Sequence, residues 1–220
     1  MPGSTPPTRE QPMDFWDRLD AVRAEWDVLA HPFYQRWSRG ELLRDELATY
    51  SGQYRHAVTG LARGSAAAAA AADGDLHEHL EEHAAEEAEH VELWDRFLDA
   101  AGGDRSASQL PETLRCAESW AGEGRSPDEA LAALYAIESA QPAIAEIKRD
   151  GLVELYGFEP GPATEYFDVH ATRDREHAAA HRAMLERRLG GVDQDRLVEA
   201  ARDVLAANWA LLDGVDRSGR

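Results

Sequence analysis

The sequence predicts an all-α protein, folded as a single bundle of seven or eight helices. Two patterns favour that class: apolar residues recur at steps of three and four through most of the chain, and the alternation typical of strands is almost absent. Length is a third observation, because 220 residues fit one domain with a large core. We assign residues 14–213 to this domain, residues 1–13 to a disordered tail and residues 214–220 to a C-terminal tail.

The first two predicted helices follow from their composition. Residues 14–29 place an apolar stripe on one face, which includes Phe15 and Val22. Residues 42–72 form a longer second helix that ends in a run of alanine, the strongest helix former. Gly60 and Gly64 weaken this helix near its middle, because glycine is costly inside a helix.

Start and stop signals outline the remaining helices. Residues 75–101 form a third helix that ends at Gly102, and Pro111 opens a short fourth one. A Ser-Pro-Asp-Glu start introduces a helix over 126–156, in which Pro142 predicts a kink. Two further helices complete the bundle, one that follows Pro162 and ends at Leu189, and one over 193–212.

Composition excludes several partners and compartments. The net charge of −19 repels nucleic-acid phosphates and anionic lipids, so we expect no nucleic-acid partner and no membrane association. No apolar run approaches the ~20 residues that a membrane-spanning helix needs, and the N-terminus lacks the pattern of a secretory signal. The single cysteine, Cys116, precludes an intramolecular disulfide, which fits a cytoplasmic protein.

The stretch His170-x-x-x-Asp174-x-x-His177 is the strongest indication of chemistry. On a helix, these steps of four and three project the side chains from one face, ~5–6 Å from their neighbours. Imidazole and carboxylate together ligate iron, manganese or zinc. His181 lies one turn further along the same face, either as a partner of this set or as a solvated histidine. The same spacing occurs in ordinary surface pairs, so the triple needs support from other helices.

Two other predicted helices carry candidate ligands. Glu138 lies in the apolar segment ALAALYAIESAQP, where a buried carboxylate is costly unless it is paired or bound to a metal. Glu87-x-x-His90 has the E-x-x-H spacing of bundle-core di-iron carboxylate proteins. Neighbouring acids such as Glu86 also suit a solvated helix face. The three helices together predict a dinuclear metal site inside the bundle.

Lys148 stands out in the composition. It is the single lysine among 23 basic residues, and the other 22 are arginines. Codon bias or drift explains such a composition, but so does a reaction that needs an amine, which arginine cannot supply. Lysine is also the residue whose pKa shifts most readily on burial. Lys148 is therefore a candidate reactive residue.

Four segments of the chain resemble the heme-oxygenase-like di-iron oxidases, the superfamily that also holds the TenA-like thiaminases and PqqC-like oxidases. They are HPFYQRWSRGEL, HVELWDRFLDAAG, YAIESAQPAIAEIKRDGLVELYGF and EYFDVHATRDREH, and the likeness spans residues 15–212. Within the superfamily the chain looks most like the CADD-like proteins, which are implicated in forming para-aminobenzoate for folate. The resemblance implies a heme-oxygenase-like bundle for the whole domain.

The resemblance also implies a set of six metal ligands. Five of them match residue by residue, and these are His90, Glu138, His170, Asp174 and His177. CADD-like chains place a glutamate two turns before the first histidine, where this chain has His83. Other members use E-x-x-H, so we choose Glu87 as the sixth ligand, with Glu86 and then His83 as alternatives. The implied cofactor is two iron ions or a manganese–iron pair.

A reaction on the chain itself is a further implication of the resemblance. In CADD-like proteins a tyrosine side chain is excised by oxygen chemistry, and a lysine is the proposed amine donor. The matching residues here are Tyr34 and Lys148, and Tyr50 and Tyr166 match further aromatic residues of the site. We expect O₂ as co-substrate and an external reductant. Tyr34 also fits an ordinary core tyrosine beside Trp37, because buried tyrosines are common.

Three other functions remain open at this point. The same metal site could oxidise an external small molecule such as an amino acid, a fatty acid or a natural-product intermediate. A TenA-like thiaminase would need a cysteine nucleophile, for which Cys116 is the only candidate. The chain could also be a non-catalytic helical binding protein with a vestigial metal site. For each of them a homodimer is the default assembly.

Overall fold

A computed structural model describes residues 13–219, and within that range every regular element is helical. Short 3₁₀ turns occur at Val28–Ala30 and Leu189–Gly191. The first five α-helices are α1 (Phe15–Glu25), α2 (Pro32–Trp37), α3 (Arg44–Ala71), α4 (Gly74–Ala101) and α5 (Pro111–Ala121). The other four are α6 (Pro127–Glu138), α7 (Gln141–Glu154), α8 (Glu165–Arg188) and α9 (Gln194–Ser218).

The all-α class is confirmed, and the helix predicted over 126–156 is divided into α6 and α7. The division falls just before Pro142, which occupies the first turn of α7. Proline lacks a backbone N–H and its ring clashes with the preceding turn, so it is tolerated at a helix start but not in an interior. Glu138 is consequently the last residue of α6.

The predicted weakness within the second long helix is absent, because α3 continues through Gly60 and Gly64. Both glycines face the backbone of α5. A Cβ atom at Gly60 would lie 2.5 Å from the carbonyl oxygen of Ala117, and one at Gly64 would lie still closer to that of Trp120. The two glycines therefore allow α3 and α5 to pack more closely than any side chain would permit.

The C-terminal boundary differs from the expected one. Helix α9 extends to Ser218, so residues 214–218 belong to the helix instead of a tail. Leu212 and Val215 are buried along its apolar face, and this burial stabilises the additional turn. At the other end, the disordered tail predicted for residues 1–13 lies outside the described residues, apart from Met13.

The interior of the bundle lies between α3, α4, α6, α7 and α8. Helix α4 packs along α3, and α8 packs against α4, α6 and α7. Large aromatic side chains fill much of the space between them, and the fully buried ones include Tyr34, Trp37, Tyr50, Tyr54, Trp94 and Phe167. Several polar side chains are buried beside these rings, and they form the two clusters described next.

Candidate active site

Helices α4 and α8 bring a first group of potential metal ligands together. Glu87, His90 and His170 are buried, and their ligand atoms lie within 4.8 Å of one another. Nδ1 of His90 lies 3.0 Å from Oε1 of Glu87. Nδ1 of His170 lies 2.7 Å from the carbonyl oxygen of Tyr166, which can only accept, so Nδ1 carries the proton. Nε2 of His170 then keeps a free lone pair, as in a metal-ligating histidine.

A second group adjoins the first and includes the end of α6. His83, Glu138 and His177 also have ligand atoms within 4.8 Å of one another. Nε2 of His83 makes a short hydrogen bond with Oε1 of Glu138, and it lies 3.8 Å from Oε1 of Glu87. The structure thus places both Glu87 and His83, two of the three alternatives for the sixth ligand, among the candidate ligands.

Asp174 is close to both groups. It is buried, and it interacts electrostatically with Glu138 and Glu87. Neither of its carboxylate oxygens has a hydrogen-bond partner within residues 13–219. The same holds, across those residues, for four neighbouring atoms: Nδ1 of His83, Oε2 of Glu138, Nδ1 of His177 and Nε2 of His181. Buried polar atoms are costly without partners, so this concentration of orphaned ligand atoms fits bound cations.

Burial distinguishes the acids of α4 more clearly than spacing does. His83, Glu87 and His90 follow one another at steps of four and three, so they share the face that meets α8. Glu86 lies three residues after His83 and four before His90, so it borders the same face, but it is only part-buried. Its Oε1 accepts a hydrogen bond from Arg173 at 2.9 Å, and its Oε2 lies 3.1 Å from Nε2 of His177. Glu86 is a weaker candidate than the buried Glu87 for a ligand, because its carboxylate is already paired at the edge of the site.

The electrostatics of these residues also favour a cation. Burial alone would raise the pKa of the Glu138 carboxyl. The neighbouring His83 and His181 outweigh burial, so the pKa of Glu138 lies well below its usual range. Burial together with the charges of Glu138 and Glu87 raises the pKa of Asp174 well above its usual range. A metal ion beside Asp174 would reverse that shift, because a nearby positive charge favours the ionised carboxylate. We call Glu87, His90, Glu138, His170, Asp174, His177 and His83 the metal-ligand cluster.

A second buried cluster joins α2, α3 and α7. The hydroxyl oxygens of Tyr34 and Tyr50 lie 2.9 Å apart, and Nζ of Lys148 donates a hydrogen bond of 2.8 Å to the Tyr50 hydroxyl. Nζ also lies 4.8 Å from the ring centroids of Tyr34 and Tyr54. Three residues predicted from the sequence are therefore in contact. Tyr54 was not predicted, although it lies one helical turn after Tyr50 on α3. We call these four residues the tyrosine–lysine cluster.

Desolvation dominates the ionisation of the tyrosine–lysine cluster. Lys148 is 3% exposed, and burial lowers the pKa of its amine well below the usual range. Burial likewise raises the pKa of Tyr34 and of Tyr50 well above the usual range. The protein therefore favours a neutral amine among neutral phenols, and a neutral amine is the nucleophilic form of lysine.

A backbone contact holds α7 against α2 at this point. The indole N–H of Trp37 donates to the carbonyl oxygen of Lys148 at 3.3 Å. One turn later, a Cβ atom at Gly151 would lie 2.7 Å from Nε1 of Trp37. Glycine is therefore needed at this position for the helix that carries Lys148 to approach the helix that carries Tyr34.

Tyr166 links the two clusters. Its ring stacks on that of His170, with centroids 3.9 Å apart and planes 25° apart. Trp94 lies edge-on to Tyr166 at 4.8 Å and edge-on to Tyr50 at 5.9 Å. A chain of ring contacts thus runs from the metal-ligand cluster to the tyrosine–lysine cluster.

Comparison with known sequences decides the family. A family model described as "Iron-containing redox enzyme" matches residues 48–213. The chain belongs to this family of iron-containing redox enzymes. A 4-aminobenzoate synthase of Chlamydia muridarum is 31% identical over 218 residues, which cover 93% of this chain and 91% of that protein. A 4-aminobenzoate synthase of Nitrosomonas europaea is 32% identical over 226 residues, which cover 91% of this chain and 90% of that protein.

The fold of this redox-family chain matches solved structures. A domain with a heme oxygenase-like fold from Shewanella denitrificans superimposes with a TM-score of 0.78 at 20% identity, covering 94% of each chain. The heme-oxygenase-like bundle implied by the sequence is thereby confirmed. Among the helices of residues 13–219, none is long and apolar enough to cross a membrane.

The residues present fit the iron that the family name specifies. Imidazole nitrogens and carboxylate oxygens suit iron and manganese, and the metal-ligand cluster offers both kinds in two adjoining groups. A bound cation would also satisfy the orphaned atoms of Asp174 and Glu138. The metal-ligand cluster therefore has the composition and the burial that suit an iron site.

Cys116 gives no support to the thiaminase alternative. The side chain is fully buried, and burial raises the pKa of its thiol well above the usual range. A cysteine nucleophile reacts as the thiolate, which an apolar environment disfavours. The enzyme family and the state of Cys116 both favour metal-based redox chemistry over thiol catalysis in this chain.

Proposed function

We propose that this redox-family enzyme forms 4-aminobenzoate from its own side chains, in an O₂-dependent oxidation at a dinuclear iron or manganese–iron centre. Two relatives of similar length that carry the name 4-aminobenzoate synthase support the product. The observation that carries the proposal is the position of Lys148. Its amine is buried between tyrosine rings, hydrogen-bonded to Tyr50 and 4.8 Å from the ring centroid of Tyr34.

The carbon skeleton of the product supports Tyr34 as the source of the ring. 4-Aminobenzoate has a carboxyl carbon and an amine at opposite ends of a benzene ring, and a tyrosine side chain has Cβ and a hydroxyl there. The conversion breaks the Cα–Cβ bond of Tyr34, which leaves a glycine residue in the chain, and oxidises Cβ to a carboxylate. The nitrogen of Lys148 replaces the phenol oxygen, which leaves as water. Oxidation and hydrolysis then break the Cε–Nζ bond and leave Cε of Lys148 as an aldehyde. O₂ is the oxidant, and an external reductant supplies the additional electrons.

The chain's own residues prepare this reaction by position and protonation. Tyr50 accepts the hydrogen bond that holds Nζ of Lys148, and burial lowers the pKa of the amine, which favours its unprotonated form. The surrounding rings exclude water, which leaves the amine and the Tyr34 ring fixed at short range. Such positioning lowers the entropic cost of bringing reacting groups together. Tyr166 stacks on His170 and is connected to this cluster through Trp94, so aromatic rings line the path between the metal-ligand cluster and the reacting groups.

The metal-ligand cluster would hold the cofactor. Its carboxylates can change charge and coordination, while its histidines keep the ions in place. The bound metal pair supplies the activation of O₂ that amino-acid side chains cannot provide. In this proposal the predicted set of Glu87, His90, Glu138, His170, Asp174 and His177 is joined by His83.

The unique lysine permits a direct test of the proposal. Protein grown with [¹⁵N]lysine carries the side-chain label at Lys148 alone, because the chain has no other lysine. The protein is loaded anaerobically with Fe(II), alone or with Mn(II), mixed with a reductant and exposed to O₂. We expect at most one 4-aminobenzoate per chain, with ¹⁵N in its amine by mass spectrometry. Unlabelled product from the labelled protein would exclude Lys148 as the nitrogen source.

Two substitutions separate self-modification from ordinary catalysis. Lys148→Met removes the transferable amine and keeps a neutral unbranched side chain, and Tyr34→Phe removes the phenol hydroxyl. We expect both to abolish product while metal content stays at the parental value. Tyr156→Phe is the matched control, because it removes a buried tyrosine hydroxyl outside the two clusters. If both variants still form product from an added substrate, the enzyme oxidises an external molecule instead.

One observation favours that second candidate function. A surface cavity of about 660 Å³ is lined by His90 together with Glu86 and Arg173, so it opens beside the metal-ligand cluster. An external substrate, or O₂ itself, could approach from this side. Added substrates would then be consumed over many turnovers, whereas self-modification stops after one.

A further inference from the structure

A pair of histidines adjoins the metal-ligand cluster but lies outside the ligand set implied by the sequence. His181 is fully buried on α8, one turn beyond His177. Nδ1 of His181 lies 2.6 Å from Nε2 of His79, which is half-buried on α4. The rings of His181 and His83 are 5.0 Å apart. His181 thus sits between a more exposed histidine and the core of the site.

The contact between His181 and Glu138 has an unusual form. Nε2 of His181 and Oε2 of Glu138 lie 3.0 Å apart. The two atoms are close enough to interact electrostatically, yet neither makes a hydrogen bond of good geometry within the described part of the chain. Two adjacent buried ligand atoms that lack hydrogen-bond partners have lone pairs available to bind one cation.

The other ring nitrogen of His181, Nδ1, contacts His79 in a way that suits metal coordination through Nε2. A hydrogen bond from Nδ1–H of His181 to Nε2 of His79 would leave Nε2 of His181 deprotonated, with its lone pair toward Glu138. Metal-ligating histidines commonly donate their other N–H to a fixed acceptor, which sets the tautomer and orients the ring. His79 is in the position of such an acceptor.

From this geometry we infer that His181 is a further metal ligand, positioned by His79, and that it binds the same ion as Glu138, His83 and His177. The inference rests on the proposed dinuclear centre and extends it. The two ions then have unequal surroundings, because this position offers three imidazoles and one carboxylate, whereas Glu87, His90 and His170 offer two imidazoles and one carboxylate. The imidazole-rich position favours Fe(II) or Co(II) over Mn(II).

Co(II) binding to the metal-free full-length protein tests the assignment without any catalytic turnover. We expect the parent to bind two Co(II) per chain, observed by calorimetry and by visible absorbance. His181→Gln keeps a hydrogen-bonding side chain but removes the imidazole. It should weaken one of the two binding events at least tenfold, alter its absorbance and leave the other event unchanged. His77→Gln, on the same α4 helix as His79 but bonded to the Ala69 carbonyl, is the matched control.

A second variant makes coordination directly visible. His181→Cys offers a thiolate to the ion, and a bound thiolate gives an intense charge-transfer band with Co(II). The parent's own Cys116 is buried on α5, so the parent should lack that band. His79→Phe should weaken the same binding event by about 10- to 100-fold, as loss of the orienting partner does elsewhere.

Several outcomes would overturn the inference. Two binding events of parental affinity and spectrum in His181→Gln would show that His181 merely positions Glu138. A folded His181→Cys variant that binds Co(II) without the charge-transfer band would lead to the same conclusion. Failure of the parent itself to bind metal would instead contradict the proposed dinuclear centre, so the two failures are distinguishable.

Discussion

The metal-ligand cluster and the tyrosine–lysine cluster are both buried and both polar, but their polar atoms are satisfied in different ways. In the metal-ligand cluster, Asp174 and Glu138 keep carboxylate oxygens without hydrogen-bond partners in residues 13–219. In the tyrosine–lysine cluster, Tyr34, Tyr50 and Lys148 bond to one another. The first cluster therefore offers unpaired atoms to a cation, whereas the second disfavours charge by desolvation. The following experiments exploit this difference.

Metal loading should have the largest effect, and it should act on the metal-ligand cluster. A ligand that binds only the folded state at 1,000 times its Kd raises the free energy of unfolding by about 4 kcal/mol. We expect a gain of this order when Fe(II) is added anaerobically to metal-free protein, measured by denaturant unfolding. Lys148→Met should show the same gain, since Lys148 is not a ligand. Equal stability with and without metal would show that the orphaned carboxylates do not bind it.

Removal of the buried amine should stabilise the metal-free protein. Burial opposes the charged form of Lys148, so folding has to deprotonate or desolvate an amine that is protonated in the unfolded chain at pH 7. Lys148→Met removes that cost and loses only the hydrogen bond to Tyr50, which contributes about 1 kcal/mol, so it should raise the free energy of unfolding at pH 7. Denaturant unfolding of both proteins measures this difference.

The pH dependence of that difference has a defined sign. The pKa of Lys148 is lower in the folded than in the unfolded protein, so between those two values the unfolded state binds more protons. The parent consequently gains stability as pH rises toward the unfolded pKa of about 10.4. The advantage of Lys148→Met should shrink between pH 7 and pH 10. An advantage that is constant over this range would indicate that Lys148 is not desolvated in the folded state.

Tyr50→Phe should have a smaller effect on stability but a large one on product. It removes the hydroxyl that contacts both Tyr34 and Lys148, at a cost of about 1–2 kcal/mol, and it leaves the ring. Product should fall at least tenfold, because the amine loses its anchor, while metal content stays unchanged. Tyr156→Phe should cost a similar amount without loss of product, since its hydroxyl bonds to the Trp37 carbonyl instead. Equal product from both variants would contradict the anchoring role.

Glu86→Gln should have the smallest effect. The part-exposed carboxylate pairs with Arg173 and His177 at the edge of the site, and such partly exposed pairs contribute about 0–1 kcal/mol each. Glutamine can still bond to both partners, so metal content should remain at the parental value. Glu87→Gln, one residue away but buried, should lower it, and elemental analysis of the two variants distinguishes the buried from the part-exposed glutamate.

Much of the fold and part of the site could be predicted from the sequence. Helical periodicity and cap signals identify the helices, and the burial of Glu138 follows from its apolar surroundings. The dense acids and histidines of α4 are harder to interpret, because their spacing alone does not say which face meets α8. His83 and Glu87 were therefore treated as alternatives, although both lie in the site. The contact between His79 and His181 joins residues 102 positions apart and has no local signal.

The absence of a side chain at Gly151 has a consequence for how the proposed reactants are aligned. Lys148 has a long and flexible side chain, yet the reach of its amine is determined first by how closely the two helix backbones approach. A larger residue at 151 would push Trp37 and with it the segment that carries Tyr34 outward, while leaving both reactants chemically intact. Gly151 therefore limits the distance between the amine of Lys148 and the phenol of Tyr34, although Gly151 itself takes no part in the proposed chemistry.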